Sequence, residues 1–466
     1  MDMLSKFGEK FTLGFQKLMP DAFVFAILLT LAAVMGAYFI MDRSPLDIID
    51  SWYTGFFDLL AFGMQIVLII ITGYSIALSA TVKTGIDQLT RFINTPIQVY
   101  FFVVCIGVLL SLISFGFIVI TCFLARELAM RIKGINYPFL IACVYFSFNS
   151  WVLGLSSTIP LLLNTSDNYL IENGVLDQVI PTAYTLGSTL NIAMIGLLVF
   201  VAPILMVLLR PKSPSKSLEE LLTTTNENKT TTIQAEAQAL KLPFNAISDR
   251  LNNGVFLQAI IVIMGLVYIG MHFYNKGLDL DLNIMIFIFL ILGMLLHKTP
   301  MRYVIAMKRA STNVSGVLFQ YPFYAGIMGI MLYSGLGQKM ADVLAAVATI
   351  ETYPFYAYIT GGLINFAIPS AGGEFAVVGP SIIEAVRALG AGLPAIEVNA
   401  MIAKASLSVA YGESLSNMMQ PFFLLLVMPI MAAGTSLKAR DIMGYLVLPV
   451  LVFFVVQVLM ILVLPI

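Results

Sequence analysis

Two carboxylates stand where an apolar chain least tolerates them. Glu413 lies in the long apolar run 399–434, within AYGESLSNMMQPF at 410–422, and Glu374 lies within LINFAIPSAGGEF at 363–375. An ionisable group at membrane depth is costly and reads as functional by default. It must be neutralised in dry surroundings by a proton or by a bound cation. Both residues are therefore candidates for a coupling-ion site, with a structural pair as the competing reading of Glu413 and a helix cap as that of Glu374. Neutral hydrogen-bonding groups crowd the same apolar stretches and suit an anion. They are Ser114 and Gly116; Asn149, Ser150, Ser156 and Ser157; Asn365, Ser370, Gly372 and Gly373; and Asn417. Gln65, Gln320, Tyr411 and Gln420 are read as supporting residues. The competing reading of the serines is helix-to-helix adhesion. Lys404 is read as snorkelling outward, with pairing to Glu413 or to a substrate carboxylate as the alternative.

The elements that must carry these residues are membrane spans. Of 466 residues, 59% are hydrophobic and 11% charged, and the mean hydropathy is +0.93. A soluble domain carries roughly 25% charged residues, so a soluble globular fold is excluded. The net charge of −1 leaves no basic face for nucleic acid. Cys105, Cys122 and Cys143 have no CxxC spacing, and His272 and His297 are the sole histidines. A disulfide framework and a resident metal centre are thus not expected, nor is a cofactor. No HExxH or paired-aspartate pattern supports an integral-membrane enzyme, and nothing resembles the repeated filter of a channel.

Runs long enough to span lie near 18–41, 58–80, 138–163, 183–209, 254–275, 282–298, 313–336, 399–434 and 443–465. Backbone polar groups cannot go unpaired in lipid, so these are helices. Residues 1–17 alternate Lys6, Lys10 and Lys17 with Leu4, Phe7, Phe11 and Phe15, which suits an interfacial amphipathic helix. Lys and Arg favour the cytoplasmic side. Loops 81–96, 126–136 and 297–312 and the turn 435–442 are basic, whereas 164–182 carries Asp167, Glu172 and Asp177 and no Lys or Arg. The run 97–126 is basic at both ends, so it should enter and return on one side. Its tip is expected at Ser114-Phe115-Gly116. The same parity makes 353–390 a second hairpin, with its tip near Pro369-Ser370-Ala371-Gly372-Gly373. The polar stretch 210–253 reads as a cytoplasmic linker. The expected fold is all-α and polytopic, with nine spans, two re-entrant hairpins and a cytoplasmic N-terminus.

The two halves correspond. Met64-Gln65 matches Phe319-Gln320, Leu112-Ile113-Ser114-Phe115 matches Leu363-Ile364-Asn365-Phe366, and Val144-Tyr145 matches Ala410-Tyr411, all in order. An odd connecting span, 254–275, would invert the second repeat (282–466) against the first (18–209). Inverted repeats with broken helices are a signature of secondary transporters, with substrate held at the midplane. The breaks are expected at 147–158 and 412–420.

At these motifs the sequence resembles the bacterial short-chain fatty acid transporter family, linked to acetoacetate and butyrate use. The resembling strings are LLAFGMQ at 59–65, FLARELAMRI at 123–132, YPFLIACVY at 137–145, LLHKTPM at 295–301 and FQYPFYAGI at 319–327. LINFAIPSAGGEF at 363–375, AYGESLSNMMQPF at 410–422 and RDIMGY at 440–445 complete the set. The family is similar to the wider ion-transporter superfamily with inverted repeats. The resemblance implies uptake of short-chain monocarboxylates across the bacterial inner membrane. The expected partners are the carboxylate substrate, H⁺ or Na⁺ (the latter at the hairpin tips), the lipid bilayer and, as one assembly to test, a second copy in a homodimer. Family members can carry His after three glycines where this chain has Glu374 after Ala371-Gly372-Gly373. A carboxylate there repels an anion unless it is protonated or paired with a cation, which favours symport. A cation/proton antiporter or a dicarboxylate transporter on the same scaffold remains the alternative.

Overall fold

A computed structural model of the chain describes residues 17, 20–58, 60–89, 92–165, 169–172, 174–211, 216–222, 232–242, 244, 246–277 and 282–466. The expected amphipathic helix at 1–17 lies outside these, save for its last residue. Among the described residues the structure is helical, with one isolated bridge, between Leu222 and Thr435. By length and composition six helices could cross a membrane: Ala22–Phe39, Pro96–Ile113, Tyr137–Leu163, Thr189–Leu208, Ile247–Lys276 and Arg440–Val463. Gly63–Ala77 and Asn283–His297 are apolar but shorter.

The helices that position the site are, in chain order, α1 (Ala22–Phe39), α2 (Pro45–Asp58), α3 (Leu60–Ala77), α4 (Pro96–Ile113), α5 (Ile118–Arg131) and α6 (Tyr137–Ser147). They continue with α7 (Thr158–Leu163), α8 (Thr189–Gly196), α9 (Leu282–His297), α10 (Ser315–Tyr333), α11 (Leu336–Ala345) and α12 (Tyr353–Ile364). The last four are α13 (Ala371–Leu389), α14 (Ala395–Asn417), α15 (Leu424–Met431) and α16 (Val447–Val463).

Local chemistry sets the ends. α4 starts with a capping box: Gln98 N donates to Thr95 Oγ1 at 3.3 Å and Thr95 N to Gln98 Oε1 at 3.1 Å, with Pro96 at the first helical position. It ends at Ser114, whose backbone is extended (φ −156°) and whose Oγ accepts from Gly116 N. A 3₁₀ turn, Phe115–Phe117, leads into α5, which packs back on α4. At the matching place α12 ends at Asn365 and the chain reverses over 365–370 before α13. The arms differ in length: 18 and 14 residues in α4 and α5, 12 and 19 in α12 and α13. At about 1.5 Å per residue, α12 is too short to cross a bilayer, while α4 comes close.

Two details depart from the sequence reading. Gly372 and Gly373 are not in the reversal; they are the second and third residues of α13, after the cap Ser370. Pro369 and its neighbours make the turn, and the glycines leave two positions in the first turn of α13 without a side chain. The second break also lies later than expected. α14 runs unbroken to Asn417 and the chain unwinds over 418–423, so Glu413 sits in continuous helix. Gly412 serves close packing instead of a break. A Cβ there would lie 2.0 Å from Tyr358 O, and one on Gly361 would lie 2.4 Å from Val409 O, so α12 and α14 meet backbone to backbone.

The first broken span follows expectation: α6, a 3₁₀ stretch Phe148–Leu153, a turn, then α7. The two broken spans form the centre of the molecule, and every residue of α6 is buried. Tyr145 OH donates to Asn417 O at 2.6 Å and Ser414 Oγ to Asn149 O at 2.7 Å, which joins the two spans, while Tyr411 OH donates to Asn191 Oδ1 of α8 at 3.0 Å. Arg126, on α5, donates to the carbonyls of Ile430, Met431 and Ala433 at 3.0, 2.6 and 2.7 Å. Arg387, on α13, pairs with Asp177 at 2.7 Å. The described part of 210–253 forms short helices, two of whose residues, Leu218 and Ala237, are buried.

Candidate functional site

The site gathers on the last two turns of α14. Glu413 and Asn417 stand one turn apart on one face, and both are buried. Glu374, in the first turn of α13, is also fully buried. Among the described residues none donates a hydrogen bond to any of the four carboxylate oxygens of Glu374 and Glu413. The two carboxylates feel each other's charge, and the Asn365 and Asn417 side chains lie against Glu374 and Glu413 respectively. Neither glutamate has an ion-pair partner among the described residues. The cap reading of Glu374 does not match, since Ser370 Oγ accepts from Gly373 N at 3.5 Å and the carboxylate binds no backbone group. Lys404 is also elsewhere, donating to Leu464 O at 2.7 Å.

A network of amides surrounds the pair. Gln420 Nε2 donates to Asn365 Oδ1 (2.9 Å), Asn365 O (3.1 Å) and Asn417 Oδ1 (3.0 Å). Ser416 Oγ donates to Asn365 Oδ1 at 2.9 Å and to Glu413 O at 2.9 Å. Ser414 Oγ donates to Asn149 O at 2.7 Å and also bonds Asn149 Oδ1. The oxygens of three asparagines are thus engaged. Their amide nitrogens, Nδ2 of Asn149, Asn365 and Asn417, are buried without a hydrogen-bond partner among the described residues. A buried donor left unmade costs free energy, so such groups mark a place for an acceptor.

The remaining expected residues divide. Gly372 approaches Thr158 of α7, which joins the second hairpin to the first broken span. Ser156 Oγ accepts from Phe115 N at 2.8 Å, and Leu155 N donates to Leu112 O at 2.8 Å, joining that span to the first hairpin. Ser150 donates to Val108 O and Ser147 O, and Ser157 donates to Val152 O, so their hydroxyls serve the backbone. Ser114 caps its own turn, and Gly116 faces Ile69 of α3 and Met285 of α9. Gln65 Nε2 donates to Asn283 Oδ1 at 2.7 Å, a helix-to-helix bridge. Gln320 is buried with Oε1 unpaired. Sequence reasoning missed Asn191, which holds Tyr411 and donates to the carbonyls of Leu153 and Leu186. An asparagine in the run TLNIAMIG was the signal available.

Apolar helices of membrane length enclosing a buried polar centre define a multi-pass membrane protein. A family described as short chain fatty acid transporter matches residues 3–465, and the chain belongs to that family. It is 37% identical over 446 residues, 95% of each chain, to a protein of Escherichia coli (strain K12) provisionally named a short-chain fatty acid transporter. A similarly named protein of Haemophilus influenzae (strain ATCC 51907 / DSM 11121 / KW20 / Rd) is 33% identical over 449 residues, 95% of this chain and 96% of that one. The crystal structure of the Alcanivorax borkumensis YdaH transporter aligns with TM-score 0.44 and 16% identity over 95% of this chain and 97% of that one. By family and by relatives the chain is a transporter and not an enzyme.

Proposed function

We propose that the chain is a secondary active transporter that carries short-chain fatty acids of the acetate, butyrate and acetoacetate class across the bacterial inner membrane with a cation, H⁺ or Na⁺. The observation that carries this reading is the buried centre, where the unpaired amides of Asn365 and Asn417 lie against two carboxylates that have no ion-pair partner among the described residues, with a third unpaired amide on Asn149. The donors suit the substrate carboxylate, and the glutamates suit the ion that moves with it. An apolar cavity of about 200 Å³, lined by Tyr358, Gly362, Phe366, Leu415, Ser416 and Phe454, adjoins Ser416 and has room for a short alkyl tail.

Coupling has an energetic reason. An anion entering alone works against an inside-negative potential at about 2.3 kcal/mol per 100 mV. A co-transported monovalent cation cancels that charge. In this reading the two halves are inverted repeats, 97–126 and 353–390 are re-entrant hairpins, and the N-terminus is cytoplasmic. The corresponding ends of α4 at Ser114 and of α12 at Asn365 support a two-fold relation. The test is uptake of labelled acetate, butyrate and acetoacetate into proteoliposomes under separate Na⁺ and pH gradients, corrected for protein-free vesicles. Movement of cations with no movement of any acid would favour an antiporter on the same scaffold instead.

A further inference from the structure

The amide network bears on which cation the site takes. A hard cation needs several oxygen ligands; the carboxylate oxygens of Glu374 and Glu413 are free among the described residues, but the asparagine and backbone oxygens around them, which would complete its shell, already accept hydrogen bonds. Asn365 Oδ1 accepts from Ser416 and Gln420, and Asn417 Oδ1 from Gln420. The backbone oxygens of Asn149, Asn365, Glu413 and Asn417 accept from Ser414, Gln420, Ser416 and Tyr145. What the asparagines turn toward the carboxylates is N–H, which repels a cation and suits a carboxyl or carboxylate oxygen.

Amide orientation is an assignment to be justified from the network, and here one backbone atom decides it. Gln420 Nε2 lies 3.1 Å from Asn365 O, a backbone carbonyl that can only accept. Turning the Gln420 amide over would set Oε1 against that carbonyl. With Nε2 fixed, Asn365 and Asn417 must present Oδ1 to it, and their Nδ2 groups face the opposite way. Gln420 Oε1 is the one side-chain oxygen of this set left unpaired.

Most other titratable and charged groups on elements packed against the pair are engaged or lie outward; the exceptions are the buried hydroxyls of Tyr353 and, on α10, Tyr324, which have no hydrogen-bond partner among the described residues. Tyr145, Tyr358 and Tyr411 donate to Asn417, Gln457 and Asn191. Asp342 accepts from Ser381, Lys404 donates to Leu464 O and Arg387 pairs with Asp177. Lys339, Glu384 and Glu397 are exposed, Tyr184 and Tyr356 are half-buried, and Tyr353 feels Asp342.

We propose that the coupling ion is a proton held by the Glu374–Glu413 pair, and that Gln420 is the positioning residue that selects it, by keeping the oxygens of Asn365 and Asn417 away from the carboxylates. This rests on the reading of the pair as the coupling site. In the carrying state the proton sits on a glutamate oxygen, and of the two hydrogens on each Asn365 and Asn417 amide one faces the glutamates and the other is left for the substrate carboxylate. After acid and proton are released inside, the carrier returns with neither, so that each cycle moves one proton with one acid.

The test uses the full chain in proteoliposomes with labelled butyrate, corrected for protein-free vesicles. Exchange of internal for external butyrate at equal pH and equal Na⁺ reports the substrate site alone. Wild type is expected to exchange, to accumulate butyrate under an acid-outside pH gradient, and to ignore an inward Na⁺ gradient at equal pH. Gln420→Leu frees both asparagines to turn. It is expected to lose proton-driven uptake by roughly 10- to 150-fold, the span of one misplaced hydrogen bond to a charged group, and to gain a response to Na⁺. Should Gln420→Leu fail to fold, the ion response of wild type and of Ser416→Ala, which removes one donor to Asn365, decides alone. Exchange with Na⁺-driven accumulation in wild type would overturn the proton assignment while leaving the transporter reading intact. Exchange with proton-driven uptake unchanged in Gln420→Leu would overturn the role of Gln420. Absence of exchange with any short-chain acid would overturn the transporter reading and the proton assignment with it.

Discussion

Replacing Asn365 separates its two tasks. Its Oδ1 accepts from Ser416 and Gln420 at 2.9 Å each, which ties the second hairpin to the end of α14. Its Nδ2 is buried, unpaired in the protein and lies against Glu374. Asn365→Ala removes both groups. The two lost hydrogen bonds should cost about 0.5–1.5 kcal/mol each. Ser416 keeps Glu413 O and Gln420 keeps Asn417 Oδ1 as partners, so the chain should still fold. A donor lost to the substrate carboxylate should cost about 1.5–3 kcal/mol, or roughly 10- to 150-fold in affinity. Asn365→Asp keeps an acceptor for Ser416 and Gln420 but sets oxygen where N–H stood. It should therefore hold its melting temperature better than Asn365→Ala yet bind the acid at least as poorly. Equilibrium binding of labelled butyrate to the purified protein, with thermal unfolding beside it, gives both quantities. Unchanged affinity in both variants for every transported acid would remove Asn365 from the site.

Three further outcomes are expected. Gly412→Ala should force α12 and α14 apart, since its Cβ would lie 2.0 Å from Tyr358 O; overpacking of this kind costs about 1–3 kcal/mol or more, read as a fall in Tm. Arg126→Ala removes three charge-assisted bonds to the end of α15; it should cost at least about 2 kcal/mol, and Arg126→Lys should not restore the fork. Single cysteines in 81–96 should react with impermeant reagents only from the cytoplasmic side and those in 164–182 only from outside; outside labelling of 126–136 would make the first hairpin a full span and end the inverted-repeat reading.

What the sequence made legible follows from which interactions are local. Ser114 and Asn365 end their helices at corresponding places because polar residues interrupt apolar runs there, and that interruption is visible in the chain. The unwinding after Ser147 was equally visible, as a cluster of Asn, Ser, Thr and Gly. Glycine was the less reliable sign. Gly412 and the Gly372-Gly373 pair read as breaks, yet all three are helical, and Gly412 is explained by the backbone of α12 at Tyr358, which no local pattern announces. Gln420 looked like a supporting residue because its importance lies in three acceptors, two of them on Asn365, 55 positions away. Asn191 was missed for the same reason: its partners, Tyr411 and Leu153 O, come from other elements. The helix Pro45–Asp58, which packs against α10, mixes polar and apolar residues and so falls outside any scan for spans.

The central claim is that Glu413 couples an ion to the movement of a short-chain acid, and Glu413→Gln tests it most directly. Glutamine is close in shape and carries no charge, so it imitates the protonated carboxyl. In proteoliposomes the account predicts that this variant exchanges internal for external labelled butyrate but no longer accumulates it under a pH gradient or a Na⁺ gradient. Accumulation equal to wild type under the gradient that drives wild type would contradict the claim and leave Glu413 a structural residue.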